Sequence, residues 1–224
     1  RFYALPQSPQ LFKQLFMIAG FDRYYQIVRC MRDEDLRADR QPEFTQLDVE
    51  MAFVDEEDIQ ELIDRLLERL FDELLGVEVS LPIPRMKYDE AMSRYGSDRP
   101  DTRFDLFIRD VSEQAGATEF QVFSKTVESG GVVRGLCVPG GASLSRKDID
   151  GCESIARSFG AKGLAWVKIQ EEGSKGPIAK FLGERGVASL REAFGAGEGD
   201  LLLMVADKAP VAATSLGEVR LHLG

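Results

Sequence analysis

Between Arg29 and Phe53 the chain reads RCMRDEDLRADRQPEFTQLDVEMAF, and both limbs of this stretch alternate. One parity carries Cys30, Arg32 and Glu34 and, beyond a charged loop, Phe44, Gln46, Asp48 and Glu50. The opposite parity carries Met31, Leu47, Val49 and Met51. Successive side chains of a strand point to opposite faces, so the stretch reads as an antiparallel hairpin with one buried apolar face and one face crowded with charge. The connecting loop, Asp35 to Pro42, is itself charged and ends at a proline, which is poorly suited to ladder pairing.

A solvated sheet face accounts for most patterns of this kind. The residue types here point further. An Arg fork matches phosphate oxygens, a Phe face matches a flat ring, and the Glu, Gln and Asp side chains beside them can take an amide edge. Together they describe a nucleotide site.

The run from Phe2 to Glu50, including QSPQLFKQ and FDRYYQIVRCMRDEDLRADRQPEFTQLDVE, resembles the motif 2 region of bacterial aspartyl-tRNA synthetases. In such class II enzymes the hairpin belongs to a large antiparallel sheet and binds ATP in a bent form. Carried over residue by residue, the resemblance implies that Arg32 contacts the α-phosphate and the substrate carboxylate. It likewise implies that Glu34 faces the adenine, that Phe44 stacks on it, and that Gln41 touches ATP. Gln10 and Lys13 match the family's substrate-binding segment, with Lys13 pairing the side-chain carboxylate of aspartate, and Gln46 and Asp48 line the amino-acid pocket.

Bulk charge gives no help with nucleic acid: 28 Lys and Arg against 38 Asp and Glu leave a net charge of −10. Any tRNA contact must use local basic clusters such as Arg37 and Arg40 near the acceptor end. The three cysteines, Cys30, Cys137 and Cys152, are far apart, and His222 is the one histidine. That composition disfavours a zinc site, a disulfide framework and a Ser-His-Asp nucleophile, and makes a reducing, cytoplasmic compartment the default. Neither a long apolar span nor a signal-peptide pattern is visible.

In chain order, Arg1 to Leu5 reads as the tail of a strand. Ser8 and Pro9 open a helix whose apolar face is Leu11, Phe12, Leu15, Phe16 and Ala19, with Gly20 as its stop. Asp55 to Leu75 is a long amphipathic helix, capped by Asp55 and closed by Gly76, expected to pack on the back of the hairpin's sheet. An extended Val77–Arg85 segment and a short helix from Tyr88 to Tyr95 follow. Asp98, Arg99, Asp101 and Arg103 in the next loop, GSDRPDTR, read as salt-bridge residues.

From about Phe104 the composition changes. Glu119–Ser124, Val132–Val138, Gly163–Ile169 and Leu201–Val205 read as strands, and Ser145 to Gly160 as a capped helix. GGASLSRKDID, GAKGLAWVKI and PIAKFL resemble the GAD insertion domain, which bacterial aspartyl-tRNA synthetases share with a subunit of tRNA-dependent amidotransferases. Pro139-Gly140-Gly141 fits no phosphate-loop spacing. Arg146 and Lys147 at the helix start are weak candidates for a tRNA backbone contact, and Trp166 reads as core.

The expected fold is α+β: part of a class II antiparallel active-site sheet with helices over residues 1–103, and a smaller α+β insertion domain over 104–224. The resemblance implies an aspartate–tRNA ligase using ATP and Mg²⁺, with most metal ligands outside these residues, and a homodimer. Its partners would be aspartate and the aspartate tRNA, the asparagine tRNA being left open. Motif 1, motif 3 and the anticodon-binding domain are not recognisable, so the chain reads as an internal fragment, inactive by itself. The alternative is a non-catalytic tRNA-binding module or a synthetase-like paralogue.

Overall fold

A computed structural model describes residues 7–33, 40–171 and 173–224, which fall into two compact units, Arg1–Pro84 and Arg85–Gly224. In the first unit, helix α1 (Gln10–Ile18) precedes strands β1 (Arg23–Met31) and β2 (Glu43–Met51), and helix α2 (Glu56–Leu75) follows them. The strands form the expected antiparallel hairpin, in register Tyr24↔Glu50, Gln26↔Asp48, Val28↔Gln46 and Cys30↔Phe44. The Arg32 amide donates to the Pro42 carbonyl at 2.8 Å and closes the ladder at its loop end.

Burial runs opposite to the expectation from alternation. Cys30 and Asp48, on the charged parity, are buried, whereas Tyr25, Ile27 and Leu47 on the other parity are exposed. Helix α1 accounts for the inversion: Lys13, its one buried residue, is bonded to the charged face, while Leu11, Phe12 and Leu15 stay exposed. Ser8 does not cap that helix; Pro9 occupies the N-cap position, without a side-chain bond.

Helix α2 begins and ends where its signals lie. Asp55 accepts from the amides of Glu57 and Asp58, Asp58 reciprocates, and Gly76 is left-handed at φ 62°. No residue of α2 is buried; Ile59, Leu62, Leu70 and Leu74 remain exposed, so its apolar stripe is not packed on the back of the sheet.

The second unit starts at helix α3 (Tyr88–Tyr95) and continues through β3 (Arg109–Asp110), α4 (Ser112–Gly116), α5 (Gln121–Glu128) and β4 (Val132–Val138). Helix α6 (Arg146–Ser158), β5 (Ala165–Gln170), β6 (Gly173–Lys175), α7 (Ala179–Phe194), β7 (Leu201–Asp207) and α8 (Ala209–Leu223) complete it. The five strands form an antiparallel sheet in the order β3-β4-β7-β5-β6. Its central strand, β7, feeds both faces: Leu201, Leu203 and Val205 pack under α6 and α8, and Leu202 and Met204 under α4, α5 and α7. An unbroken apolar run is what a strand covered on both faces requires.

Two differences from the sequence expectation stand out. Glu119–Ser124 is not a strand; Gln121–Glu128 is a helix, with Phe123 buried. Helices α7 and α8 have no counterpart in the sequence pattern, whereas the Ser145–Asp148 capping box of α6 lies where its residues place it. The compact units divide after Pro84, and the loop beyond Gly96 is held to the second one by Arg220. It is buried, donates to the carbonyls of Leu106 (2.6 Å), Asp101 (2.8 Å) and Phe104 (2.8 Å), and lies over the Phe104 ring at 4.0 Å and the Tyr95 ring at 4.9 Å. Burial pulls its pKa below the ordinary guanidinium value, an effect the nearby Tyr95, Asp101 and Asp105 oppose. The GSDRPDTR loop is thus tied to the last helix and belongs to the second unit.

Helices α3 and α8 approach through glycine. A Cβ on Gly217 would lie 2.8 Å from the Gly96 carbonyl oxygen and 2.9 Å from that of Tyr95. Gly217→Ala is therefore expected to cost about 1–3 kcal/mol. Gly151→Ala in α6, where a Cβ meets nothing within 4 Å, should be neutral or stabilise by about 0.5–1 kcal/mol. Urea denaturation of both variants checks the pair, and equal effects would refute the crossing.

Candidate functional site

The charged face of the hairpin carries a compact ionic cluster. Lys13 Nζ donates to Asp48 Oδ1 at 3.0 Å and lies 3.1 Å from Glu50 Oε2. The two acids stand two apart on β2 and so share a face. Gln46 Nε2 also donates to Asp48 Oδ1, at 3.1 Å. Burial disfavours the Lys13 ammonium, but the hydrogen bonds and charges of Asp48 and Glu50 outweigh it, and its pKa lies above the ordinary lysine value. One cation against two carboxylates leaves the cluster net negative. Asp48 Oδ2 is buried and accepts nothing among the described residues.

At the loop end of the same face, the Arg32 guanidinium lies 5.1 Å from the centroid of the Phe44 ring. Arg32 Nε makes a long bond, 3.4 Å, to the Gln7 carbonyl. Its other guanidinium donors show no partner among the described residues. Cys30, opposite Phe44 in the register, is fully buried. An arginine beside an aromatic face offers a planar cation and a stacking surface together.

The structure thus brings Lys13, Gln46 and Asp48 into one bonded cluster, and Arg32 and Phe44 into a second on the same face. Gln10 is exposed at the start of α1, and Gln41 is exposed just before β2, with Arg40 exposed beside it. Glu34 and Arg37 lie outside the described residues. Glu50 joins the cluster although the sequence does not mark it as a site residue; its spacing from Asp48 is the signal that could have found it. In the second unit Arg146 is engaged rather than free: it pairs with Asp150 at 2.8 Å and lies over the Trp166 ring at 5.2 Å. Trp166 itself packs against the core, as expected. Among the described residues no helix is long and apolar enough to cross a membrane.

The family model for class II tRNA synthetases (D, K and N) matches residues 1–179. The chain belongs to this family. Over all 224 residues it is 59% identical to an aspartate–tRNA(Asp/Asn) ligase of Bacillus subtilis (strain 168), covering 38% of that relative. It is 56% identical to an aspartate–tRNA ligase of Halalkalibacterium halodurans and 57% identical to an aspartate–tRNA(Asp/Asn) ligase of Bacillus anthracis, again covering 38% of each. The synthetase chain therefore spans about two fifths of the length of these curated relatives.

Replacing Lys13 by Met leaves Asp48 and Glu50 facing each other without a cation, with an expected loss of about 3 kcal/mol. A cation whose pKa is raised by folding contributes its full stability below the unfolded lysine value, about 10.4. That contribution is lost as pH rises through the higher folded value. Chemical denaturation should show the Lys13→Met deficit unchanged between neutral pH and about pH 9 and shrinking only in stronger alkali.

Proposed function

We propose that the complete protein is an aspartate–tRNA ligase, and that the hairpin face supplies much of its aspartate and ATP site. The observation that carries this is the buried Lys13–Asp48 pair on the same strand face as the Arg32–Phe44 pair. An amino acid with a carboxylate side chain needs a cation for the carboxylate and an acceptor for its ammonium. The third N–H of Lys13 can serve the first, and the orphaned Asp48 Oδ2 the second. Gln46 holds Asp48 in place, and we assign Gln10 to the same aspartate site.

In the first step we assign, the α-carboxylate of aspartate attacks the α-phosphorus of ATP, forming aspartyl-adenylate and releasing pyrophosphate. The aspartyl group then passes to a hydroxyl of the tRNA's terminal ribose, releasing AMP. Arg32 neutralises charge on the α-phosphate and the substrate carboxylate, Phe44 stacks on the adenine, and Glu34 and Gln41 hold the base and ATP from the loop. Mg²⁺, when bound, would further neutralise the polyphosphate. Positioning and preorganised charge carry the rate, with no covalent protein intermediate.

The partners we assign are the aspartate tRNA, with the asparagine tRNA a second substrate of the kind the Bacillus relatives' names carry. Arg37 and Arg40 are placed near the acceptor end. We further assign residues 104–224 to a GAD-like insertion domain, the complete protein to a homodimer, and its location to the cytoplasm.

Aspartate-dependent ATP–pyrophosphate exchange tests the reading. In the complete protein, Arg32→Ala should lower exchange by about a hundredfold or more, the scale of losing one donor at a transferring centre. Exchange near the wild-type rate would refute Arg32's role, and absence of aspartate-dependent exchange in the wild type would refute the function.

A further inference from the structure

The second unit carries a cleft of about 620 Å³ that the hairpin chemistry does not use. Its volume falls within the range of small-ligand sites, about 300–1,000 Å³. It arises where the sheet's residues become small: Ala165 pairs with Met204 across β5 and β7, Gly163 precedes β5, and Ala206 ends the apolar run of β7. Phe120, Phe123 and Ile178 contribute apolar and aromatic lining.

The polar groups of the lining are few, and their bonding leaves them available. Lys125 and Lys162 both stand in its wall, Lys162 exposed and Lys125 at the rim. Lys125 Nζ donates to Gln121 Oε1 at 3.3 Å, which leaves the Gln121 amide N–H groups to donate. Thr126 donates its hydroxyl to the Val122 carbonyl at 2.7 Å and keeps lone pairs to accept. The one acid of the lining, Glu153, is taken up by Arg157 through bonds of 2.9 and 2.7 Å. In a chain of net charge −10, a cleft with two lysines and a neutralised acid runs against the trend.

We infer that this cleft binds one unpaired nucleotide of a single-stranded RNA, with the base in the notch over Ala165 and Ala206 and the flanking phosphates on Lys125 and Lys162. A flat ring fills an apolar slot beside phenylalanines, and its edge needs the donor and acceptor that Gln121 and Thr126 provide. An alkyl acid would leave those groups and the second lysine unused. The inference goes beyond the adenylation site and draws on the proposed function only for the class of partner.

Fluorescence anisotropy of the 224-residue chain with an end-labelled, unstructured RNA hexamer tests it. The wild type should bind with an affinity that falls with salt. Lys162→Glu should weaken binding at least about tenfold and flatten the log–log salt dependence by about 0.7 for each phosphate no longer held. Ala165→Leu fills the notch and should weaken binding by a similar factor without touching a charge; a matching thermal transition shows that it is folded. Lys162 is exposed, so its variant keeps the test valid if Ala165→Leu does not fold. RNA binding unchanged in the folded variants overturns the inference. So does binding of free AMP, or of an acidic peptide, that is as tight as that of the RNA and is weakened equally by Ala165→Leu. Adenylation needs no RNA, so loss of pyrophosphate exchange and loss of hexamer binding fail independently.

Discussion

The ammonium of Lys13, removed from water and held by Asp48 and Glu50, is the contact on which the first unit depends. A buried cation is tolerated only with full compensation. Meeting that need turns α1 so that its charged residue points at the hairpin, with Phe16 stacked on Tyr24 of β1 while Leu11, Phe12 and Leu15 stay exposed. The same need places the two carboxylates, and with them Gln46, at fixed positions on β2. The same cluster is the one proposed above to take aspartate, and in it one acceptor, Asp48 Oδ2, is left without a partner among the described residues. Unsatisfied buried atoms are rare in native structures, and on the proposed reading this one is reserved for the substrate's ammonium.

The second unit is organised differently. Its stability rests on apolar burial on both faces of β7 and on Arg220, whose three carbonyl contacts replace water around a guanidinium with backbone oxygens. Each contact draws a part of the 101–106 loop against α8. Two aromatic rings cover the planar faces of the cation while its edges reach oxygen, a division of labour that the guanidinium's shape permits and an ammonium's does not.

Legibility in the sequence depends on the range of the signal. The hairpin, the Asp55 and Ser145 caps and the Gly76 and Gly96 stops are local features, and each appears where the residues put it, although β1 starts at Arg23, ahead of the stretch read as the first limb, and ends at Met31. Alternation gives parity, but not which parity is covered, so burial of the charged face cannot be read before α1 is placed. The EFQVFS run alternates by chance over a few residues; its helical spacing shows only when Phe120, Phe123 and Val127 are taken together. Helix α8 is buried on most sides, with Ala212, Ser215, Gly217 and Arg220 all inside, and so shows no apolar stripe. Arg32, Phe44, Lys13 and Asp48 are legible through the family resemblance and through strand parity. Glu50 is visible by spacing, but only the structure shows its ion pair with Lys13.

Whether Lys13 and Asp48 form an aspartate pocket is tested most directly by calorimetric titration of the complete protein with aspartate, set beside its Lys13→Met variant, with ATP titrated into both. The variant is expected to lose aspartate binding while retaining ATP binding, because the nucleotide is assigned to Arg32 and Phe44 instead. Undiminished aspartate affinity in a folded Lys13→Met protein would contradict the assignment, and would leave the ionic cluster with a structural role alone.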